Sequence, residues 1–441
     1  MSDLHVIVGL GATGLSCARY LQQRGIPIAI TDTRANPPFL EALQKDCPAA
    51  QVSLGKLDEA LLAKAGRIVL SPGVALREPA IDKQVKRGIP VIGDIELFAE
   101  AVRVPVIAIT GTNAKSTVTT LVGKMAEAAG HRVQVGGNLG VPALDLLREP
   151  ADLFVLELSS FQLETTYSLK PSVATVLNIS RDHMDRYDTL ADYQQAKHRV
   201  YQHCNIAVCN RDDTLTDCKQ PADQKIYFTM TTPRATEFGL LQRNNEVYLA
   251  HGDQPLLAVS ELPVIGGHYQ ANALAALAIG HSFGLSQDAM LKVLREFAGL
   301  PHRCQFVREL DDVKWYNDSK GTNVGATQAA IEGLGSEIIG RVVLIAGGVG
   351  KNADFRPLIP AIADHCRHVV LIGEAAAELA YVIGDRVPVS FASTMDEAVR
   401  QAAAVAKPHD SVLLSPACAS FDMFKHYAHR GEVFTEIVKK L

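Results

Sequence analysis

The sequence predicts an α/β protein of three units: an N-terminal Rossmann-like domain, a central P-loop ATPase-like domain with a mostly parallel sheet, and a C-terminal Rossmann-like domain. Three observations predict it. Apolar, strand-like stretches alternate with helix-period stretches over most of the 441 residues, the pattern of helices layered on parallel sheets. Glycine-rich or phosphate-type turns follow apolar strands near residues 9–14, 111–117 and 347–351, more than one sheet needs. The length alone allows roughly two to four domains. The divisions fall at 1–94, 95–299 and 300–441.

Composition narrows the class. Hydrophobic residues make up 47% and charged residues 21%, a globular balance. A net charge of −5 offers no electrostatic footprint for nucleic acid. No apolar run has the length of a bilayer span, so no membrane partner is expected. The stretch from Met1 to Gly9 passes straight into a strand without a basic segment or cleavage site, which argues against export and for a cytoplasmic setting. The eight cysteines are scattered, with no Cys-x-x-Cys pair. They read as buried apolar residues in a reducing compartment, not as a zinc site or disulfide framework.

The first unit opens with a strand and Gly9, Gly11 and Gly14, which fit G-x-G-x-x-G before a helix over Leu15 to Arg24. A second strand, Ile26 to Thr31, ends at Asp32, where dinucleotide folds place the acid that reads a ribose hydroxyl. Two readings stand: a nucleotide-type ligand over the turn, or glycines that only let helix and strand pack closely. The strand–helix context favours the ligand. Ser71, Pro72 and Gly73 follow the strand Arg67 to Leu70 and would line the same cleft. Gly93 to Phe98 reads as a connector.

The second unit begins with a buried strand, Val106 to Ile109, and a small-residue turn, Gly111 to Ala114. Lys115, Ser116 and Thr117 then open a helix running through Val118, Leu121, Val122, Met125 and Ala129 to a stop at Gly130. Backbone amides and the helix dipole would face an anion, Lys115 adds charge, and the Ser116 hydroxyl can reach Mg²⁺. The spacing departs from the common P-loop, with Ala114 before the lysine and Ile109 five residues earlier. A plain connection with a surface lysine is the alternative, but the combination is restrictive enough to favour a nucleoside triphosphate.

Glu157 ends the next strand, Asp152 to Glu157, where a nucleotide-binding fold places its Mg²⁺-handling acid; capping of the following turn is the competing role. His183 and Asp182 follow the strand Val173 to Asn178. Open α/β sheets bind ligands at such carboxyl ends. Lys197 lies on a helix over Ala191 to Gln202 and in isolation is a solvated lysine. Asn272 opens an Ala/Leu-rich helix, where capping is favoured over ligand contact. In the third unit, strands at Val342 to Ala346, His368 to Ile372 and Ser411 to Leu414 alternate with helices near Ala375 to Ile383, Met395 to Ala406 and Gly431 to Lys440. Arg303, Asp318, Lys320 and Lys351 fall on loops beside strand ends, where binding residues concentrate.

With these residues in place the chain resembles the Mur ligase family over essentially its whole length. The stretches that carry the resemblance are Gly111 to Thr117, Glu157 to Glu164 (Glu-Leu-Ser-Ser-Phe-Gln-Leu-Glu), Asp182 to Tyr187 (Asp-His-Met-Asp-Arg-Tyr), Leu300 to Arg303 (Leu-Pro-His-Arg), Asn317 to Asn323 (Asn-Asp-Ser-Lys-Gly-Thr-Asn) and Ser415 to Ser420 (Ser-Pro-Ala-Cys-Ala-Ser). Within them, Ser159 to Glu164 and Asn317 to Lys320 resemble specifically the member that adds D-glutamate to UDP-N-acetylmuramoyl-L-alanine. The resemblance implies that Thr13, Asp32, Thr33 and Arg34 hold the uridine end, that Ser71, Pro72 and Gly73 hold the diphosphate, and that Asn138, Ser159, Gln162 and His183 hold the muramoyl-alanine portion. It implies ATP on Gly111, Thr112, Asn113, Ala114, Lys115, Ser116, Thr117, Asn272, Arg303 and Asp318. D-glutamate falls to Lys320, Thr322, Lys351, Ser420, Phe421 and Tyr427.

The implied chemistry is attack of the acceptor carboxylate on the γ-phosphate, an acyl phosphate, and displacement of phosphate by the amine through a tetrahedral intermediate. Lys115, Glu157, His183 and Lys197 would be catalytic. Two Mg²⁺ are implied, one on Ser116 and Glu157, the other beside His183 and Lys197. An ammonium cannot ligate Mg²⁺, and the resemblance implies that Lys197 is carbamylated. Two positions depart from the family pattern. Ala114 stands where glycine is common, so that residue must keep negative φ or be strained. Asn352 follows Lys351 where small residues are usual, and asparagine tolerates left-handed geometry. The rivals are an NAD(P)-dependent oxidoreductase built on Gly9 to Gly14 and Asp32, a non-catalytic ATP-binding regulator, and a ligase for another amino acid or for folate. Each proposed site closes within one chain, so a monomer is expected.

Overall fold

The computed structural model describes residues 3–264 and 266–441. Three sheets follow one another along the chain. The first is wholly parallel, in the order Gln51–Leu54, Ile28–Asp32, His5–Val8, Arg67–Leu70, Val91–Ile92. Its central strand is buried through Val6, Ile7 and Val8, as a strand covered by helices on both faces must be. The helix after it spans Ala12–Gln23, beginning three residues before the expected Leu15. Gly14 permits this tight start: a Cβ there would lie 2.0 Å from the Gly9 carbonyl oxygen.

The segment read as a connector is instead the helix Asp94–Ala101. Gly93 caps it in extended geometry, Asp94 and Glu96 suit its first turn, and Ile95, Leu97 and Phe98 bury it. The glycine was the cap of this helix, not part of a loop.

The middle sheet has nine strands, in the order Gln254–Ala258, Glu246–His251, Phe238–Arg243, Gln224–Phe228, Ile206–Asn210, Val173–Val176, Val106–Thr110, Leu153–Glu157, Val133–Gly137. The last six are parallel. The first three form an antiparallel meander that extends the sheet away from the phosphate-type turn. The third sheet runs Gln305–Leu310, Val313–Asn317, Ser411–Leu414, Val342–Gly347, Cys366–Ile372, Val389–Phe391, with only its first strand antiparallel.

The helices Lys115–Ala128 and Gly267–Phe283 pack side by side against the middle sheet and share its apolar core through Val118, Leu121, Met125, Leu274 and Leu277. Asn272 sits inside the second of these, past its cap at Gly266, so it does not cap the helix. Among the described residues no helix is long and apolar enough to cross a bilayer. Seven of the eight cysteines are buried, and Cys304 is partly so.

Candidate active site

The middle and C-terminal sheets present the carboxyl ends of their strands to one cleft, the place where open α/β sheets bind ligands. Its cavity of about 330 Å³ is walled by the turn Thr112 to Ser116 from one sheet and by the loops of Lys320, Lys351 and Ser420 from the other.

The turn itself is held from below. Thr112 and Asn113 donate backbone N–H bonds to the carbonyl and side-chain oxygens of Asn178 at 2.9 and 2.8 Å, and the Asn178 amide returns a bond to the Asn113 carbonyl. Ala114, the residue before the helix, has φ 67° and ψ −10°. It therefore takes the strained alternative, at a cost of roughly 1–2 kcal/mol for a residue with a Cβ. No side chain caps this helix, which leaves its first amides available to an anion. Lys351 and Asn352 are also left-handed, at φ 50° and 57°, in line with the tolerance expected of asparagine.

Cations dominate the cleft. Among the lining residues, Lys115, Lys197, Arg303, Lys320 and Lys351 face two carboxylates, Glu157 and Asp182. Lys115 Nζ folds back to the carbonyls of Gly111 and Thr112 at 2.9 and 2.8 Å. Arg303, from the C-terminal part, donates to Ser116 Oγ at 2.8 Å. Burial pulls the Lys320 ammonium down to about 8, helped by Arg303 and Lys115, and its Nζ sits 3.9 Å over the Tyr427 ring.

Lys197 is not a solvated lysine. It is 1% exposed, donates to the Gly111 carbonyl at 2.8 Å and lies 4.5 Å over the Tyr193 ring. Burial, and after it the Lys115 charge, push its pKa well below the usual lysine value. Burial likewise lowers His183, against the pull of Asp182, which favours the neutral imidazole that binds metals. Its ring packs on Phe161 at 4.9 Å between centroids.

Glu157 is 2% exposed. Its Oε1 accepts from Asn138 Nδ2 at 2.6 Å, but its buried Oε2 has no partner. An orphaned buried carboxylate oxygen costs free energy unless something positive meets it. Together with Ser116 Oγ on the same wall, it offers the hard oxygen donors of a Mg²⁺ site. Among the described residues no three His, Cys, Asp or Glu side chains gather to enclose a metal.

The cavity also gathers Ser159, Thr322, Ser420, Phe421 and Tyr427. Other expected residues lie off its wall. Gln162 completes a capping box with Ser159 and donates to Asp94. Asp318 is buried, accepting from Ser415 Oγ at 2.7 Å and the Cys304 amide at 3.2 Å. Gly111 and Thr117 belong to the frame of the phosphate turn and its helix.

Thr13, Asp32, Thr33 and Arg34 lie in the first domain, and so do Ser71, Pro72 and Gly73. Ser71 Oγ donates to the Gly9 carbonyl at 2.9 Å, so the two loops meet. Burial raises the Asp32 pKa, but the Arg34 guanidinium and the Leu10 and Arg34 amides together hold it at about 2. With those bonds at 2.6 to 2.9 Å, its oxygens orient Arg34 and leave little room for a ribose.

Several cleft residues had no assigned role in the sequence. Tyr193 precedes Lys197 by four positions on the helix Leu190–His198, a spacing that puts both on one face. Arg186 donates to the carbonyls of Pro72 and Val74 at 3.1 and 2.9 Å and stacks on Phe161 at 4.2 Å, tying the first domain to the cleft; no local pattern announces that contact. Arg430, 1% exposed, binds the carbonyls of Ser319 and Cys418 and so joins the loops of Lys320 and Ser420.

Comparison with known proteins adds to this geometry. Residues 3–93 match the MurD-like N-terminal domain of Mur ligases, residues 109–280 the Mur ligase middle domain, and residues 302–418 the Mur ligase glutamate ligase domain. The chain is 54% identical to the UDP-N-acetylmuramoylalanine–D-glutamate ligase of Pseudomonas fluorescens (strain Pf0-1), covering 99% of this chain and 98% of that one. It is 52% identical to the enzyme of the same name from Pseudomonas aeruginosa, with the same coverage. Among solved structures, MurF from Acinetobacter baumannii aligns with a TM-score of 0.63 at 18% identity over 98% of this chain and 90% of that one. The UDP-N-acetylmuramate–alanine ligase MurC of Thermotoga maritima aligns at 0.61 and 17% over 99% of both. These last two speak for the fold alone.

Proposed function

Because the chain belongs to the Mur ligase family, we propose that the cleft between its middle and C-terminal sheets is where two substrates are joined. The reaction is the ATP-dependent ligation of D-glutamate to UDP-N-acetylmuramoyl-L-alanine, a step of peptidoglycan synthesis. The observation that carries the residue assignment is the orphaned Glu157 Oε2 in a cavity whose cations come from two separate sheets. Both substrates, the nucleotide and the intermediate are anionic, and such a cavity suits them all.

The phosphate turn and the open helix end cradle the β- and γ-phosphates, with Lys115 and Arg303 beside them. A cavity of about 390 Å³ adjoins at Arg303, walled by His268, Phe306 and Tyr316, and has room for the nucleoside. Asn138, Ser159 and His183 hold the muramoyl-alanine end, while the first domain grips the UDP. The alanine carboxylate attacks the γ-phosphorus, ADP leaves, and an acyl phosphate forms. The D-glutamate amine, placed by Lys320, Thr322, Lys351, Ser420 and Tyr427, then adds to the acyl carbon, and phosphate departs as the tetrahedral intermediate collapses. Positioning and charge neutralisation are the protein's main contributions.

Ser116 and Glu157 would hold one Mg²⁺, and His183 with a carbamylated Lys197 a second; when bound, these ions neutralise phosphate charge. Burial lowers the Lys197 pKa and so favours the free amine, the form whose lone pair adds to CO₂. The intermediates are nucleotide-linked and ATP-driven, so we place the protein in the cytoplasm and expect it to act as a monomer.

The test is phosphate release from ATP with UDP-N-acetylmuramoyl-L-alanine and Mg²⁺, comparing D-glutamate, L-glutamate, meso-diaminopimelate and no amine. D-glutamate alone should raise the rate. No release above the blank from folded protein would overturn the reading.

A further inference from the structure

We propose that Asn323 is a positioning residue that couples the phosphate-binding turn to the loop that receives D-glutamate. It is 8% exposed and stands where three loops meet. Its Nδ2 donates to Asn113 Oδ1 at 3.0 Å and to Asp182 Oδ2 at 3.2 Å. The Asn113 amide returns a bond to Asn323 Oδ1 at 3.4 Å. Asn113 belongs to the phosphate turn, Asp182 adjoins His183, and Asn323 directly follows Thr322 in the Lys320 loop. One side-chain amide thus touches the elements assigned to ATP, to the acceptor and to the incoming amine.

Asn323 has a second, purely local task. It caps the helix Val324–Gly335, its Oδ1 accepting from the Ala326 amide at 2.9 Å. The following turn lies hard against the middle domain: a Cβ on Gly325 would come within 3.0 Å of Ser180 Oγ. The approach is too close for the amide pair to be a loose surface contact. Placing Asn113 therefore places Asn323, and with it the backbone that presents Lys320 and Thr322.

Capping and coupling separate by chemistry. Asp and Ser cap helices about as well as Asn, but neither carries the amide N–H₂ that serves Asn113 and Asp182. Asn323→Asp also sets a second carboxylate against Asp182, and Asn323→Ser replaces the two-donor amide with one shorter hydroxyl. The inference rests on the assignment of the Lys320 loop to D-glutamate, so Lys320→Ala is measured alongside.

Steady-state phosphate release is followed with each substrate varied, and thermal melting is recorded for each variant. Asn323→Ser should melt close to the wild type, and Asn323→Asp below it because of the second carboxylate. The KM for D-glutamate should rise at least tenfold in Asn323→Asp and by a smaller factor, at least threefold, in Asn323→Ser. The KM values for ATP and the UDP-substrate should stay within twofold. A helix cap and nothing more predicts wild-type D-glutamate KM in both, and that result overturns the coupling. Should Asn323→Asp fail to fold, Asn323→Ser alone decides. An unmoved D-glutamate KM in Lys320→Ala refutes the loop's assignment. A raised one there, with wild-type values in both Asn323 variants, refutes the coupling only.

Discussion

Lys115 and Lys197 converge on one acceptor: both ammonium groups reach the carbonyl oxygen of Gly111, at 2.9 and 2.8 Å. Two buried like charges on one oxygen are unfavourable, and the more deeply buried Lys197 yields. Its lowered pKa favours the amine form that carbamylation needs. We predict that Lys197→Ala loses most activity and that a short carboxylic acid such as acetate or formate restores part of it, read by phosphate release. Lys115→Ala should remove activity with no such rescue. Absence of rescue by any small carboxylate would count against the carbamate.

Ala114 carries strain at a site where glycine would carry none. Relief of left-handed geometry is worth roughly 1–2 kcal/mol, and glycine's extra freedom in the unfolded chain takes back about 0.5–1 kcal/mol. Ala114→Gly should therefore raise stability by up to about 1.5 kcal/mol in urea unfolding and leave turnover within a few-fold. A severe loss of turnover would show that the turn depends on its methyl group.

The orphaned oxygen of Glu157 makes a charge-specific prediction. Glu157→Gln keeps the shape and the acceptor for Asn138 but removes the anion. The Mg²⁺ concentration for half-maximal phosphate release should rise at least tenfold, and thermal stability without Mg²⁺ should hold or increase, because a buried charge has gone. An unchanged Mg²⁺ dependence would remove Glu157 from the metal site.

Asp94 supplies a pH test. Burial raises its carboxyl to about 6, against the Gln162 bond and the helix amides. A folded-state pKa above the unfolded value means that the folded protein binds more protons between about pH 4 and 6, so this group's contribution is lost as pH rises through that window. Asp94→Asn cannot titrate. Its stability relative to the wild type should climb by up to about 3 kcal/mol between pH 4 and 7, measured by urea unfolding at each pH. A difference that does not move with pH would mean that Asp94 is already ionised at pH 4.

Much of this molecule is legible in its sequence because its strands are short, apolar and followed by distinctive turns. The strands Arg67–Leu70 and Ser411–Leu414 fall where expected, and the cleft forms at strand ends as the parallel topology demands. What stayed hidden depends on contacts across long separations. The Lys197 environment is set by Gly111, 86 residues away, and Arg186 meets the first domain 112 and 114 residues back. Asp94–Ala101 was missed for a different reason: its cap is a glycine, and glycine alone does not distinguish a helix start from a loop. The Asn272 error is of the same local kind, since the helix begins at Gly267, six residues earlier than a cap at Asn272 would require.

The bond from Arg303 to Ser116 crosses between the two sheets that form the cleft, and basic side chains lie on both banks: Lys115 and Lys197 on one, Arg303, Lys320 and Lys351 on the other. A polyanion seated between the banks meets positive charge from both and so bridges one sheet to the other, and high salt should loosen that grip by screening the same charges.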